Sequence, residues 1–564
     1  MDRAPQELVD QICGYLDSED LRRVYYVSTK FRNAAEHHAK KFRKCTEEIT
    51  DETKKNFINQ YSGFRLRYLS KVQFWPEFPD LVVDDSNGCR ESLEEQREKD
   101  KIFTKQIQEL FSILKTVEDG AGERNRGEYR LVIYSPFQKR INHDTPTRYP
   151  CLHREHDYWR THLLEPKALP ELISVTCLAL DDDQESSYSH AKLDYRIMID
   201  LAARLPMLES LRCKTGRDEW TPAYENEPLK DIPWEYDGPR RDTRHDFHKA
   251  ITTTNLPQTL QSVVLNFFCR EAMEPADDLD QRKSMPDLVG PALKDPFSSS
   301  LRVLSYHLHD LTLIAQVDET LFWPGDGSVP HWPHLERIYV MFHMVSPSGT
   351  WYFEGPKGEG RELAGHEVNQ SSYPPLKSTV EDKEDDETAA CEVDRFYKDT
   401  AGYSFRISPN DKVLVPFLVN FAKAATNMPR LKQAILWSPL TWDTGELDGE
   451  VNPLQYFDPP YIPNSGDCYA WGLAYYEPGE FSSLTPNPND HLEGFDRKFT
   501  CENRSIWWKV GKWRPNAATH ELFQGIGRQK HGEALTEFWD EDKSGQGYAS
   551  RYDFEWEYWT PEEY

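Results

Sequence analysis

Apolar residues near the N-terminus recur with a helical period. Leu8, Ile12 and Leu16 fall at i, i+4 and i+8, one stripe on a short helix. Pro5 suits the first helical position, where its missing N–H costs nothing. Gly14 weakens the helix, and Asp17 and Ser18 offer side-chain oxygens suited to capping a second one, which carries Leu21, Val24 and Val27. Ser28 can cap a third helix with Phe31, Ala34, Ala35, His38 and Phe42. Three helices within about forty residues bury little core alone. Their remaining apolar side chains must meet a partner, or else the rest of the same chain.

Further on, one phrase recurs: apolar, two residues, apolar, one residue, apolar. It appears as Leu69/Val72/Phe74, Leu172/Val175/Cys177, Leu208/Leu211/Cys213 and Leu260/Val263/Leu265, then as Leu301/Leu304/Tyr306, Leu335/Ile338/Val340 and Leu431/Ala434/Leu436. The last two positions of each phrase are two apart and point to one face of a strand. A proline precedes most of them (Pro170, Pro206, Pro257, Pro333 and Pro429). Helical stripes lead into several: Leu193, Ile197, Leu201 and Leu205 in one case, Leu414, Phe417, Leu418, Phe421 and Ala425 in another, with weaker versions over 243–256 and 311–322. Helix then strand, repeated, predicts parallel neighbouring strands joined by helical crossovers.

Other stretches break this rhythm. Residues 91–117 predict a charged amphipathic helix, and 345–410 an exposed or disordered acidic, Gly- and Pro-rich insertion with its acidic run at 381–387. Beyond 440 the chain turns to aromatic, Pro-rich loops and short strands, with a helix predicted near 518–539. In the tail Tyr552, Phe554, Trp556 and Tyr558 alternate with acids, the period of a half-buried strand that closes the end of the array or serves as an interaction peptide.

The chain has 564 residues and a net charge of −28, the opposite of a duplex-binding footprint, so nucleic acid is not an expected partner. Its 16 Trp and 28 Tyr indicate a core leaning on large rings. The 10 Cys show no paired spacing, which fits a reducing compartment. With no apolar run near the ~20 residues needed to span a bilayer, no membrane association is expected, and the cytoplasm, the nucleus or both is the expected location.

The N-terminal stretch resembles the F-box, through which adaptor proteins dock on the Skp subunit of a Skp–cullin–F-box ubiquitin ligase. Pro5, Glu7, Leu8, Ile12, Leu16, Asp20, Leu21, Val27, Ser28, Phe31 and Arg32 match its motif in order. Ala4 stands where the motif usually has Leu, and a late tryptophan is missing. The recurring phrase resembles a degenerate leucine-rich repeat, although successive phrases from Leu172 onward lie 34 to 96 residues apart, longer and less even than a regular repeat. Together they resemble fungal F-box proteins. The resemblance implies an α/β chain: an F-box over 1–45, an irregular leucine-rich-repeat-like α/β solenoid over 46–440, and an aromatic-rich capping region over 441–564.

It further implies a non-catalytic adaptor whose Pro5, Leu8, Ile12, Leu16, Leu21, Val27 and Phe31 bind the Skp subunit, and through it a cullin, while the repeats hold a protein substrate. A protein-interaction scaffold without a ligase role is the alternative. In the strand register above, the side chains facing away from the internal ones include Trp75, Arg212, His307, Tyr339, Met341, Ile435 and Trp437. They form either a substrate-binding face or, for Trp75 and Trp437, core covered by the C-terminal region. Enzyme signatures such as a nucleophile elbow, a P-loop or a zincin helix are absent from the sequence. No cofactor or metal is expected; Cys151, His153, His156 and His162 come nearest to ligand spacing but without a second nearby cysteine.

Overall fold

The structure, a computed structural model, describes residues 4–39, 53–83, 90–142, 159–181, 189–214, 236–268, 281–378, 404–442, 468–482 and 499–539, with short pieces at 380, 382, 463, 484, 549–551 and 553–554. It is a mixed α/β molecule built on one large, mostly parallel, open sheet. Helices α1 (Gln6–Gly14), α2 (Ser18–Val24) and α3 (Thr29–His38) open the chain, followed by α4 (Lys54–Tyr61).

The main sheet begins with β1 (Lys71–Phe74), β2 (Tyr129–Tyr134), β3 (Val175–Asp181) and β4 (Ser210–Lys214). It continues through β5 (Ser262–Asn266), β6 (Asp310–Ala315), β7 (Arg337–Phe342) and β8 (Gln433–Thr441). Each strand pairs in parallel with the next in sequence. Helices α5 (Leu93–Ala121), α6 (Arg196–Ala202), α7 (Asp237–Thr253), α8 (Pro296–Ser305) and α9 (Asp411–Thr426) supply crossovers between them, as parallel pairing requires. The sheet passes residue 440 without a break. β9 (Cys468–Tyr476) and β10 (Arg504–Lys509) add antiparallel strands, and β11 (Leu535–Trp539) a parallel edge.

The recurring phrase builds this sheet by stacking like on like. Val72, Leu131, Leu178, Leu211, Val263, Leu311, Ile338 and Ala434 lie in register across eight strands. Two residues on, Phe74, Ile133, Leu180, Cys213, Leu265, Leu313, Val340 and Leu436 form a second ladder. Both are buried in the main core, and each large apolar side chain adds roughly 1.5–3 kcal/mol before ordering costs. At the strand entries a single carbonyl serves two donors. Glu209 O accepts from Gln261 N–H (2.9 Å) and Ser262 N–H (3.0 Å), and Gln261, His309 and Glu336 repeat the pattern toward β8.

Several expectations are corrected. Leu172/Val175/Cys177 misplaces the register of β3: its ladder residues are Leu178 and Leu180, and Cys177, paired with Arg130 beside a register shift, turns to the other face. Leu301/Leu304/Tyr306 is no strand. Asp295 caps α8 there, accepting from Phe297 N–H (3.3 Å) and Ser298 N–H (2.9 Å), and Phe297, Leu301 and Leu304 have helical spacing. The strand comes one phrase later, at Leu308/Leu311/Leu313, so 311–322 begins as β6 rather than as a helix. β2 escaped notice because Glu128 occupies the place of the first apolar residue. Part of the 345–410 insertion is core: Trp351, Tyr352 and Phe353 are buried, and the Arg406 guanidinium lies 4.3 Å from the Trp351 ring. Except for Asp382, the acidic run lies outside the described residues. The helix expected over 518–539 divides into α10 (Ala517–Gln524), α11 (Arg528–His531) and β11, with Gly527 and Gly532 at φ of 68° and 80° turning the chain.

Buried acids cluster where α8 meets β6. Asp295 pairs with Arg244 at 2.9 Å, both fully buried. Burial, then the Asp295 carboxylate, pushes Asp318 up to about 7. The folded chain thus holds a proton that an unfolded aspartate releases near about 4. The associated stability is complete below that value and is lost as pH rises through about 7. Asp318→Asn keeps an acceptor for Thr320 and removes the titration. Its melting temperature is expected to fall less than that of the native chain between about pH 5 and about pH 8, measured by parallel thermal scans. Identical slopes would show that Asp318 does not carry this dependence.

Candidate functional site

The three N-terminal helices are held by their own caps. Asp17 Oδ1 accepts from the N–H groups of Glu19 (2.9 Å) and Asp20 (2.8 Å) at the start of α2. Ser28 Oγ accepts from Phe31 N–H (3.4 Å) at the start of α3. Lys30 Nζ donates to Ala4 O (2.6 Å), and Gln6 Nε2 to Lys30 O (3.0 Å), fastening the start of α1 to α3. Inside, Val9, Cys13, Leu21, Phe31, Ala34 and Ala35 make a small separate core. Burial, then Asp10, raises the Cys13 thiol above its ordinary value.

Outside, the same helices display large apolar side chains. Leu8 is 51% exposed, Ile12 49%, Val27 58%, Tyr15 92% and Tyr26 82%. Of the residues the sequence assigns to docking, Pro5, Leu8, Ile12 and Val27 face outward, and Leu16 is half-buried against the small core. Leu21 and Phe31 are corrected: they point inward and hold the unit together. The motif cannot tell these roles apart, because α1 carries two apolar pairs at i, i+4, Leu8/Ile12 outside and Val9/Cys13 inside. Pro5 precedes α1 as its N-cap instead of filling the first helical position. Tyr15 and Tyr26 lie off the stripe, and only their exposure brings them into the set.

This unit is fixed to the body. Arg65 Nε and Nη2 grip the buried Glu36 carboxylate at 3.0 and 2.9 Å, and Tyr25 OH adds a 3.3 Å bond. The hydrogen bond to Glu36 raises the Arg65 guanidinium pKa. The ring of His37 meets that of Tyr68, with centroids 4.9 Å apart.

The sheet face opposite the two apolar ladders carries the expected substrate residues, but not as one open strip. At the β1 end half-buried Trp75 stacks on Tyr134, with centroids 3.5 Å apart. Arg212 lies in the middle, half-buried on β4, in register between Ala179 and Val264. His307 is exposed, but in the turn after α8 and not on a strand.

Tyr339, Met341, Ile435 and Trp437 are corrected outright: all are buried. Residues 549–551 and 553–554 return over them. Ala549–Ser550 pairs with β9, and Phe554 stacks on Trp437 with centroids 5.4 Å apart. Trp437 Nε1 donates to Tyr339 OH (2.7 Å), which donates to Phe554 O (3.2 Å). Glycine is required opposite, because a Cβ on Gly472 would lie 2.5 Å from Trp437 Cβ. Phe554 thus acts as a lid at a helical turn, where the period-two tail predicts a strand; Tyr552, Trp556 and Tyr558 lie outside the described residues.

No protein-family model matches the chain, and no curated protein matches it. Among the described residues no helix is long and apolar enough to cross a membrane.

Phe554→Ala is expected to destabilise this end of the sheet by about 3 kcal/mol, as for a fully buried ring. Amide hydrogen exchange in β7, β8 and β9 reads the effect. Unchanged protection would mean that the 549–554 segment does not hold this face closed.

Proposed function

We propose that the chain is a substrate-recognition adaptor of a Skp–cullin–F-box ubiquitin ligase. One observation carries the reading: Leu8, Ile12 and Val27, which match the docking motif, stand out from the small helical core together with Tyr15 and Tyr26. Half a dozen such side chains suffice for a specific interface, since a few well-buried anchors dominate binding. In this reading the sequential parallel sheet is the irregular leucine-rich-repeat-like solenoid, and the chain brings a protein substrate to the ligase without catalysing transfer. Its substrate face is sought at the half-buried Trp75 and Arg212, the two expected residues on this sheet face that keep some exposure. The Glu36–Arg65 grip supports the role, because an adaptor must hold its two ends at a fixed spacing. The assembly would work in the cytoplasm, the nucleus or both. Ala4, where the motif has a larger anchor, favours the second reading of an interaction scaffold without a ligase role.

Co-expression with a Skp subunit tests this. The native chain is expected to co-purify, and Leu8→Asp with Ile12→Asp to weaken binding by at least about thirtyfold, the equivalent of roughly 2 kcal/mol for hot-spot loss. The double variant should keep the native melting temperature, because both side chains already face water. Leu21→Asp should instead unfold the helical unit. A native chain that does not bind any Skp subunit would hand the function to the scaffold reading.

A further inference from the structure

His162, Asp194 and Asp246 come together from three separate stretches of chain: the segment between β2 and β3, the approach to α6, and α7. One imidazole nitrogen and two carboxylate oxygens, one from each residue, lie within 4.8 Å of one another. His162 Nε2 is 3.5 Å from Asp194 Oδ2, about the edge of a coordination polyhedron with metal–ligand bonds near 2.0–2.1 Å.

The supports around the trio are as ordered as the trio itself. Thr161 N–H donates to Lys192 O (2.7 Å) and Asp194 N–H to Thr161 O (3.0 Å), which fixes His162 beside Asp194. Tyr195 N–H donates to Thr243 Oγ1 (2.8 Å), locking the approach to α6 onto α7. Asp100 on α5 accepts the His162 backbone N–H (2.7 Å), and its Oδ1 lies 3.8 Å from Nδ1 of the same ring. At 3.8 Å the ring contact is too long for a hydrogen bond, but it places a carboxylate on the Nδ1 side, from which outer partners orient a metal-bound histidine, while Nε2 turns to the cluster.

Charge completes the argument. Asp194 is only 3% exposed; its Oδ1 takes the Arg196 backbone N–H (2.8 Å), while Oδ2 faces His162. The Arg196 side chain turns away to Asp200 (2.7 Å). Lys249 Nζ meets Asp246 Oδ1 at 2.6 Å, leaving the other oxygen for a ligand. A buried carboxylate is costly without a cation or hydrogen bonds beside it. With Lys249 beside Asp246, the carboxylates of Asp100, Asp194 and Asp246 still leave a negative excess around the imidazole that a cation offsets.

We propose that His162, Asp194 and Asp246 bind a divalent first-row metal cation, with Asp100 orienting the histidine. Mixed nitrogen and oxygen donors fit Zn²⁺ or Mn²⁺ better than Mg²⁺ or Ca²⁺, which take oxygen alone. Three protein ligands leave a coordination position open, and His162, half-exposed, gives it access to solvent. The ion would join α6, α7 and the segment before β3 into one clamp. This site is independent of the adaptor reading. Cys151, His153 and His156 lie outside the described residues.

The test uses the full chain, stripped with a chelator and then titrated with ZnCl₂ and MnCl₂. Bound metal is counted by mass spectrometry and affinity measured by calorimetry. His162→Ala and Asp246→Asn are each expected to lose one equivalent relative to the native chain, whatever other histidines or cysteines bind. Asp100→Asn should keep the equivalent but weaken it about tenfold or more. Circular dichroism and the melting temperature in chelator check that each variant folds. Should Asp194→Asn fail to fold, the other two variants still decide. If the native chain takes up neither ion, or if His162→Ala and Asp246→Asn retain native stoichiometry and affinity, the proposal falls and the cluster is a protonated imidazole among carboxylates.

Discussion

A parallel strand can join its neighbour only through a crossover, and the crossover must pack where it passes the sheet. That requirement organises this molecule. Each strand from β1 to β8 brings two apolar side chains, two residues apart, to the same two levels of one face. The crossover helices close over those levels, and the strand-entry carbonyls keep adjacent strands in step. A phrase displaced by one residue would turn its apolar pair to the opposite face. The spacing within each phrase is therefore strict, while the length between phrases is free. This explains how intervals as uneven as the 27 residues from Leu308 to Leu335 and the 96 from Leu335 to Leu431 serve one regular sheet.

The opposite face obeys a different constraint. Among the described residues the cover it has at either end comes from segments outside the crossover helices. At one end Trp75 and Tyr134 cover each other by stacking. At the other, antiparallel β9 and the 549–554 segment bury a Tyr–Trp pair whose polar atoms are satisfied by each other and by a backbone carbonyl. Buried rings with polar tips need such partners. That need makes Trp437 and Tyr339 core residues here, whatever their position in the strand register suggests.

The N-terminal unit shows the same separation of roles on a smaller scale. Its inner residues are few, with Leu21 and Phe31 the largest, and its outer ones are large and wet. A unit that spends Leu8, Ile12, Tyr15 and Val27 on its surface gains nothing from them for its own fold. Its attachment through Glu36, Arg65 and the His37–Tyr68 ring contact is local, and it leaves Leu8, Ile12, Tyr15 and Val27 exposed.

Much of this was legible in the sequence because it rests on local periodicity. The helical stripe at Leu8/Ile12, the caps at Asp17 and Ser28, and the strands at Leu211, Val263, Ile338 and Ala434 all follow from side chains that repeat along the chain, whereas the phrase at Leu172 found its strand three residues out of register. The phrase at Leu301 misled because an aspartate cap and Pro296 turned the same apolar residues into a helix, and local spacing cannot choose between two such neighbours. What only the tertiary structure decided was where distant segments meet. Phe554 reaches Trp437, Arg406 lies over Trp351, and His162 faces Asp194 and Asp246, none of them at a spacing that any sequence pattern marks. Local patterns fix which face of an element is apolar; the packing of remote elements fixes whether that face meets water or the rest of the chain.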